Sequence, residues 1–342
     1  MPRLSEETAK RARERLQGYC RVCSFCNGVA CRGEVPGMGG TGSGSGFIRN
    51  VSTLAEWRLV MRTIHKVHAP ATGITLFGIP ASSPILAAPM AGMNYNLGGK
   101  ISEEDIVRAV IRGGKQAGSP VMTGDGMDPE EFLTGVSVIR DERWGIPILK
   151  PWLVDRIKER IRICESHGAS AVGIDLDGIG LDHPGTPMEE TFLAKTREDL
   201  EEIIMSTHLP VILKGIMSEE DAELAAASGA AGIVVSNHGG RVLDGTQGVA
   251  EVLPAIAKRV SECMTVLADG GVRTGEDVLK YLALGAKAVL VGRPLLIAAA
   301  GGGEEAVGKT LVDMAKELRL AMVLTGCQSL NEIGSHILVR KS

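Results

Sequence analysis

PVILKG (210–215), GIVVSN (232–237), TVLADG (265–270) and AVLVG (288–292) are short apolar runs, each ending on a small or polar residue and each followed by an amphipathic segment. Apolar runs of this length, with no alternation of polar residues, suit strands buried on both faces, and strands that alternate with helices build a parallel sheet. The same pattern extends upstream through ILAAPM (85–90), PVMTG (120–124), PILKP (147–151) and AVGIDL (171–176). Eight such units over roughly 250 residues match the size of an α/β chain closed as a (β/α)8 TIM barrel. The division expected is an N-terminal helix and Cys/Gly-rich segment at 1–50, then the barrel at 51–342. Function in such a barrel collects at the carboxyl ends of the strands, where Thr123, Lys150, Asp175, Lys214, His238, Asp269 and Arg293 fall.

Composition narrows the classes. The chain has 342 residues, 44% of them hydrophobic, so it can bury a large core. A formal charge of -4 supplies no broad basic field, and nucleic acid is not an expected partner. No apolar run has membrane-spanning length, and the opening MPRLSEETAKRARERLQG reads as a charged helix without a signal-peptide core, so a cytoplasmic, membrane-free protein is expected. Disulfides are then not the expected use of the seven cysteines. Four of them, Cys20, Cys23, Cys26 and Cys31, form C-x2-C-x2-C-x4-C, a spacing that suits a zinc ion or an iron–sulfur cluster; four reduced surface thiols are the plain alternative. The glycine-rich GMGGTGSGSG (37–46) is expected to be an ordered connection, because apolar FIRNV follows it directly. Residues 303–310 fit G-x4-G-K-T, but no strand runs straight into them, and a surface helix is the better reading.

SNHGGRVLDG (236–245) carries the chemistry. It places His238, a base that titrates near neutrality, three residues from Arg241, a planar fork suited to a carboxylate. On spacing alone, a loop histidine with a surface arginine fits slightly better than a catalytic pair. After the seventh and eighth strands, Asp269-Gly-Gly271-Val-Arg273 and Gly292-Arg293 supply the glycine amides and guanidinium groups with which barrels commonly hold a phosphate.

LKGI (213–216), SNHGGRVLDG, ADGGVRTGEDVLKYLALGAKAVLVGRPLL (268–296) and LTGCQSLNEI (324–333) together resemble the FMN-dependent α-hydroxy acid oxidase and dehydrogenase family, which includes glycolate oxidase and lactate oxidase. The likeness is dense from Leu209 to Ile333, thinner through residues 77–92, and fades before Ser52. It implies an FMN cofactor and the oxidation of an (S)-2-hydroxy acid to a 2-oxo acid. By that resemblance Lys214 sits near flavin N1 and O2, and the Pro89, Met90 and Ala91 backbone lies beside N5. Asp269, Gly271, Arg273, Gly292 and Arg293 hold the ribityl phosphate, and Thr123 joins the cofactor set. His238 is the base, Asp175 its carboxylate partner and Arg241 the carboxylate clamp. A homo-oligomer, by resemblance a tetramer, is also implied.

Departures accompany the resemblance. Relatives carry a tyrosine at the end of the third strand, where this chain has Lys150, and an arginine after the fourth-strand aspartate, for which His183 is the candidate substitute. They argue against lactate or glycolate as the specific substrate and leave a hydroxy acid as the class. An iron–sulfur cluster at the cysteines implies a redox protein as electron acceptor in place of oxygen; zinc implies only a staple. The rival readings are an FMN-dependent isomerase of the isopentenyl diphosphate type, an aldolase using Lys214 as a Schiff base, and a non-catalytic flavin and metal redox sensor.

Overall fold

The computed structural model describes residues 4–181 and 192–341, so His183 lies outside the described residues. The eight apolar runs are eight barrel strands: β1 (Ile85–Ala87), β2 (Met122–Thr123), β3 (Ile146–Leu149), β4 (Val172–Asp175), β5 (Val211–Ile216), β6 (Gly232–Val235), β7 (Thr265–Ala268) and β8 (Ala288–Val291). All pair in parallel, each with its neighbour in the chain, and β8 returns to β1. A parallel bridge between Ala87 and Val121, next to β2, closes the ring.

Inside the ring, Leu86, Ile148, Ile212, Val234, Leu267 and Leu290 form a packed apolar core. The antiparallel pair Ile74–Leu76 and Ile79–Ala81 adds Leu76 and Ile79 to that same core. Its turn residue Phe77 abuts Gly232, the first residue of β6, so this hairpin plugs the amino-terminal end of the barrel. The other end is left for a ligand.

The first helix, Glu6–Arg15, starts on a Ser5 cap whose hydroxyl accepts from the Thr8 amide at 3.1 Å, and it lies against the last helix, Arg293–Thr325, at Gly301. That last helix breaks at Gly302 and Gly303. The G-x4-G-K-T run is therefore the restart of a helix, with Lys309 paired to Asp313 on its exposed side. The helix Ser45–Glu56 runs across residue 50 and packs on the loop after β6, where Asn50 and Asn237 exchange buried amide hydrogen bonds of 2.6 and 3.2 Å. The Cys/Gly-rich segment is thus joined to the barrel by a continuous helix. Among the described residues, no helix is long and apolar enough to cross a membrane.

Candidate active site

Parallel pairing of β4 with β5 sets Asp175 directly beside Lys214. One Asp175 oxygen accepts from Lys214 Nζ and the other from Lys150 Nζ, both at 2.7 Å and both buried. Burial alone would raise the Asp175 carboxyl, but the charges of His238, Lys150 and Lys214 hold it well below the usual carboxylate range. Lys214 is likewise raised: desolvation opposes its charge, and Asp175, Asp177 and Asp269 more than offset that. A lysine held as ammonium is a poor Schiff-base nucleophile, which counts against the aldolase reading. Lys150 belongs to the site as well. Its amide and the Trp152 indole both donate at 2.9 Å to Asp125, which is also paired with the buried Arg160.

His238 leaves β6 in the left-handed region, at φ 56°, with its amide donating to Ser236 Oγ at 3.1 Å. Its Nδ1 lies 3.0 Å from Asp177 Oδ1, 3.3 Å from Lys214 Nζ and 3.5 Å from Asp175 Oδ1. The carboxylate that hydrogen-bonds the imidazole is therefore Asp177, in the turn after β4, and not Asp175, which the two lysines occupy. A Cβ at Gly215, whose φ is +97°, would come within 2.6 Å of the Asp177 Cβ, so the glycine of the LKG motif is what lets Asp177 reach the histidine. A carboxylate oxygen accepts, so in its contact with Asp177 Nδ1 carries the proton and Nε2 keeps its lone pair. Burial lowers the imidazole below its ordinary 6.5, against the raising influence of Asp175 and Asp177. At neutral pH the ring is an uncharged base.

Arg241 is half-buried, and desolvation pushes its guanidinium down only to about 10, so it stays a cation at neutral pH. It donates to the Gly37 carbonyl and, at 2.6 Å, to Asn96 Oδ1. Gly240 permits the close docking of the Ser45–Glu56 helix on this loop, because a Cβ there would lie 2.1 Å from the Phe47 amide nitrogen. Asp244, in the same motif, faces away from the chemistry: it accepts from the Ser43 amide and both Ser45 donors at 2.6 to 3.2 Å and anchors that helix.

All these loops surround one cavity of about 630 Å³, within the range of small-molecule sites. Every residue expected in catalysis or flavin binding lines it except Thr123. Met122 belongs to the barrel's interior core, so Thr123 points outward, where its Oγ1 lies 3.1 Å from an ideal Cβ on Gly135 of the helix Pro129–Glu142. The cavity suits a flavin on an observation independent of any motif. Asp269 Oδ2 accepts from Ser236 at 2.9 Å, while its buried Oδ1 has no partner among the described residues, an acceptor awaiting a ligand hydroxyl. Burial raises this carboxyl to about 6. Opposite, burial raises Glu131 and Glu103 to about 7 each, with some added repulsion from neighbouring carboxylates.

Sequence reasoning missed a set of contacts that fasten the Cys/Gly segment to the mouth. Arg293 stacks on Phe47 at 3.7 Å and donates to the carbonyls of Met38 and Gly39 at 2.8 and 2.9 Å. Arg273 donates to the Cys26 carbonyl at 3.1 Å. Carbonyl acceptors are present at every residue and leave no sequence signature. Asp177 did leave one, since either aspartate of Asp175-Leu-Asp177 could meet the histidine from a strand end.

A closed barrel with a half-buried base, a guanidinium fork, a fixed lysine cation and a phosphate-sized group of arginines and glycines defines a flavin-dependent oxidoreductase of the α/β barrel class. The chain belongs to the FMN-dependent dehydrogenase family, whose model matches residues 37–179 and 180–340, and its cofactor is FMN. It is 33% identical to the 4-hydroxymandelate oxidase of Amycolatopsis orientalis over 340 residues, 88% of this chain and 93% of that protein. It is 53% identical to an L-lactate dehydrogenase of Caulobacter sp. (strain K31) over 131 residues, 38% of this chain and 34% of that protein. Among solved structures, mandelate oxidase with (S)-2-phenylpropionate superposes with a TM-score of 0.75 at 32% identity, covering 97% of this chain and 96% of that one. The chain is thus an oxidoreductase acting on CH–OH.

Proposed function

We propose that the enzyme oxidises an (S)-2-hydroxy acid to the 2-oxo acid, with His238 taking the substrate proton and Arg241 gripping the carboxylate. The reading rests on one observation: an imidazole, its Nδ1 held by Asp177, lines the same cavity as a guanidinium. FMN, when bound, would supply the acceptor for the two electrons released from the substrate carbon, with oxygen or another acceptor beyond it. Arg273 and Arg293 with the Gly271 and Gly292 loops would hold its phosphate, Asp269 its ribityl chain, and Lys214 its pyrimidine edge.

The chain's own part is electrostatic. His238 Nε2 accepts the proton, and the imidazolium that forms sits 3.0 Å from Asp177 and 3.5 Å from Asp175, which stabilise it once formed. Arg241 fixes the acid end by paired hydrogen bonds, so the hydroxyl carbon is oriented before any bond breaks. Lys214 supplies a permanent positive charge where negative charge builds up. The experiment is anaerobic titration with a panel of 2-hydroxy acids, followed by flavin absorbance. Bleaching by at least one hydroxy acid, lost in His238→Ala while FMN stays bound, is expected. No bleaching by any member, or undiminished bleaching in the variant, overturns the assignment.

A further inference from the structure

The flavin cavity does not use the four clustered cysteines. None of them is in a disulfide, and Cys20, Cys23, Cys26 and Cys31 all line a second, smaller cavity. Their spacing in space is informative. A single zinc ion with bonds of about 2.3 Å in a tetrahedron brings its four sulfurs to roughly 3.8 Å of one another. Among the described residues, the one group of three ligand atoms mutually within 4.8 Å is Asp175, Asp177 and His238, so no three of these sulfurs converge on a point. They ring a void instead, as thiolates must when they bind different irons of one cluster.

The surroundings are those of a buried anion. Arg273 Nη2 donates to Cys26 Sγ at 3.4 Å, and the Val22 amide donates to Cys20 Sγ at 3.4 Å. Arg293 lines this cavity as well. Four thiolates around a cationic iron–sulfur core carry net negative charge, and two guanidinium groups face it. Met38 and Arg293 line both cavities, so a single layer of residues separates the thiols from the flavin site.

We propose that Cys20, Cys23, Cys26 and Cys31 bind an iron–sulfur cluster seated behind Met38 and Arg293, against the wall of the flavin cavity. Binding releases the thiol protons and forms Fe–S bonds, with no change in flavin oxidation state. The test is anaerobic purification of the full chain with iron, acid-labile sulfide and zinc assays, and low-temperature EPR after dithionite reduction. Iron and sulfide in equal amounts, with an EPR signal distinct from flavin, are expected. Both are lost in Cys23→Ser and Cys26→Ser and retained in Cys263→Ser, an exposed cysteine outside the cavity. Should those serine variants fold poorly, stripped wild-type protein offered ferric iron and sulfide with a dithiol as reductant, or zinc alone, answers the same question. Cluster absorbance regained from iron and sulfide supports the proposal. Uptake of zinc only, of no metal, or of iron undiminished in the serine variants overturns it. FMN content is read separately, so loss of the cluster with flavin still bound does not touch the hydroxy-acid reading.

Discussion

The two rims of the barrel mouth handle charge differently. On the β2–β4 rim, Asp125, Lys150, Arg160 and Asp175 satisfy one another: Asp125 accepts three hydrogen bonds and a guanidinium, and Asp175 is bracketed by two ammonium groups. On the β6–β8 rim, Asp269 keeps a buried oxygen without a partner among the described residues. The rim that is closed on itself sets shape and field. The rim with open hydrogen-bonding capacity is where a ligand completes the network. Asp177 links the two, since it starts from the β4 side and ends on the β6 histidine.

Exchanging the two neighbouring aspartates separates chemistry from scaffold most sharply. Asp177→Asn loses the anion that fixes the imidazole and stabilises its charged form, so flavin reduction by substrate slows by about 10²–10⁴-fold, the usual scale of base catalysis. Stopped-flow absorbance under anaerobic conditions measures it, with FMN still bound. A near-normal rate in Asp177→Asn beside a collapsed one in Asp175→Asn would return the role to Asp175. The expected effect of Asp175→Asn is on stability, about 3–5 kcal/mol in urea unfolding, because it takes the nearest carboxylate from two buried ammonium groups and leaves Lys214 on the longer 3.5 Å pairing with Asp177. Adding Lys150→Met to that variant removes one of the stranded charges and restores part of the loss.

These results bear on what the residues alone reveal. The eight strands were legible because each is a continuous apolar run buried on both faces, and the SNHGGR and ADGGVR loops were legible because their residue types serve few purposes other than binding. Orientation was harder to read. Thr123 was expected at the cofactor, yet the pleat sends Met122 inward and Thr123 toward Gly135. The resemblance implies Asp175 as the histidine's partner, whereas the shorter distance is to Asp177, in the turn after the strand. The hairpin around Phe77 and the arginine bonds to backbone carbonyls depend on tertiary contacts that no local pattern announces.

The pH profile tests the electrostatic side of the comparison with a smaller effect. His238 must be neutral to accept a proton, and burial places its folded value below 6.5. The reduction rate should therefore stay level from pH 8 down through 6.5 and decline only below that, approaching tenfold per unit. A lowered histidine contributes stability that is fully present above its unfolded value near 6.5 and is lost as pH falls through the folded value, so acid unfolding and acid inactivation share this group. A rate already halved at pH 6.5 would mean an imidazole no more buried than a surface one.

The smallest expected effect is at Thr123. Flavin affinity in this barrel depends on which face of each strand tip meets the cavity, and β2 is two residues long with Met122 committed to the interior core. The Thr123 side chain then meets the helix Pro129–Glu142 at Gly135, and the cavity at this strand is lined by Gly124 in its place. Thr123→Val should leave the FMN dissociation constant within about twofold, because a side chain that does not touch the ligand changes its binding by no more than about 0.5 kcal/mol. Fluorescence titration of FMN into the stripped protein gives the number. A tenfold loss would mean that the hydroxyl reaches the flavin, and β2 would then have to present Thr123 to the cavity by shifting its register one residue, which also turns Met122 out of the core.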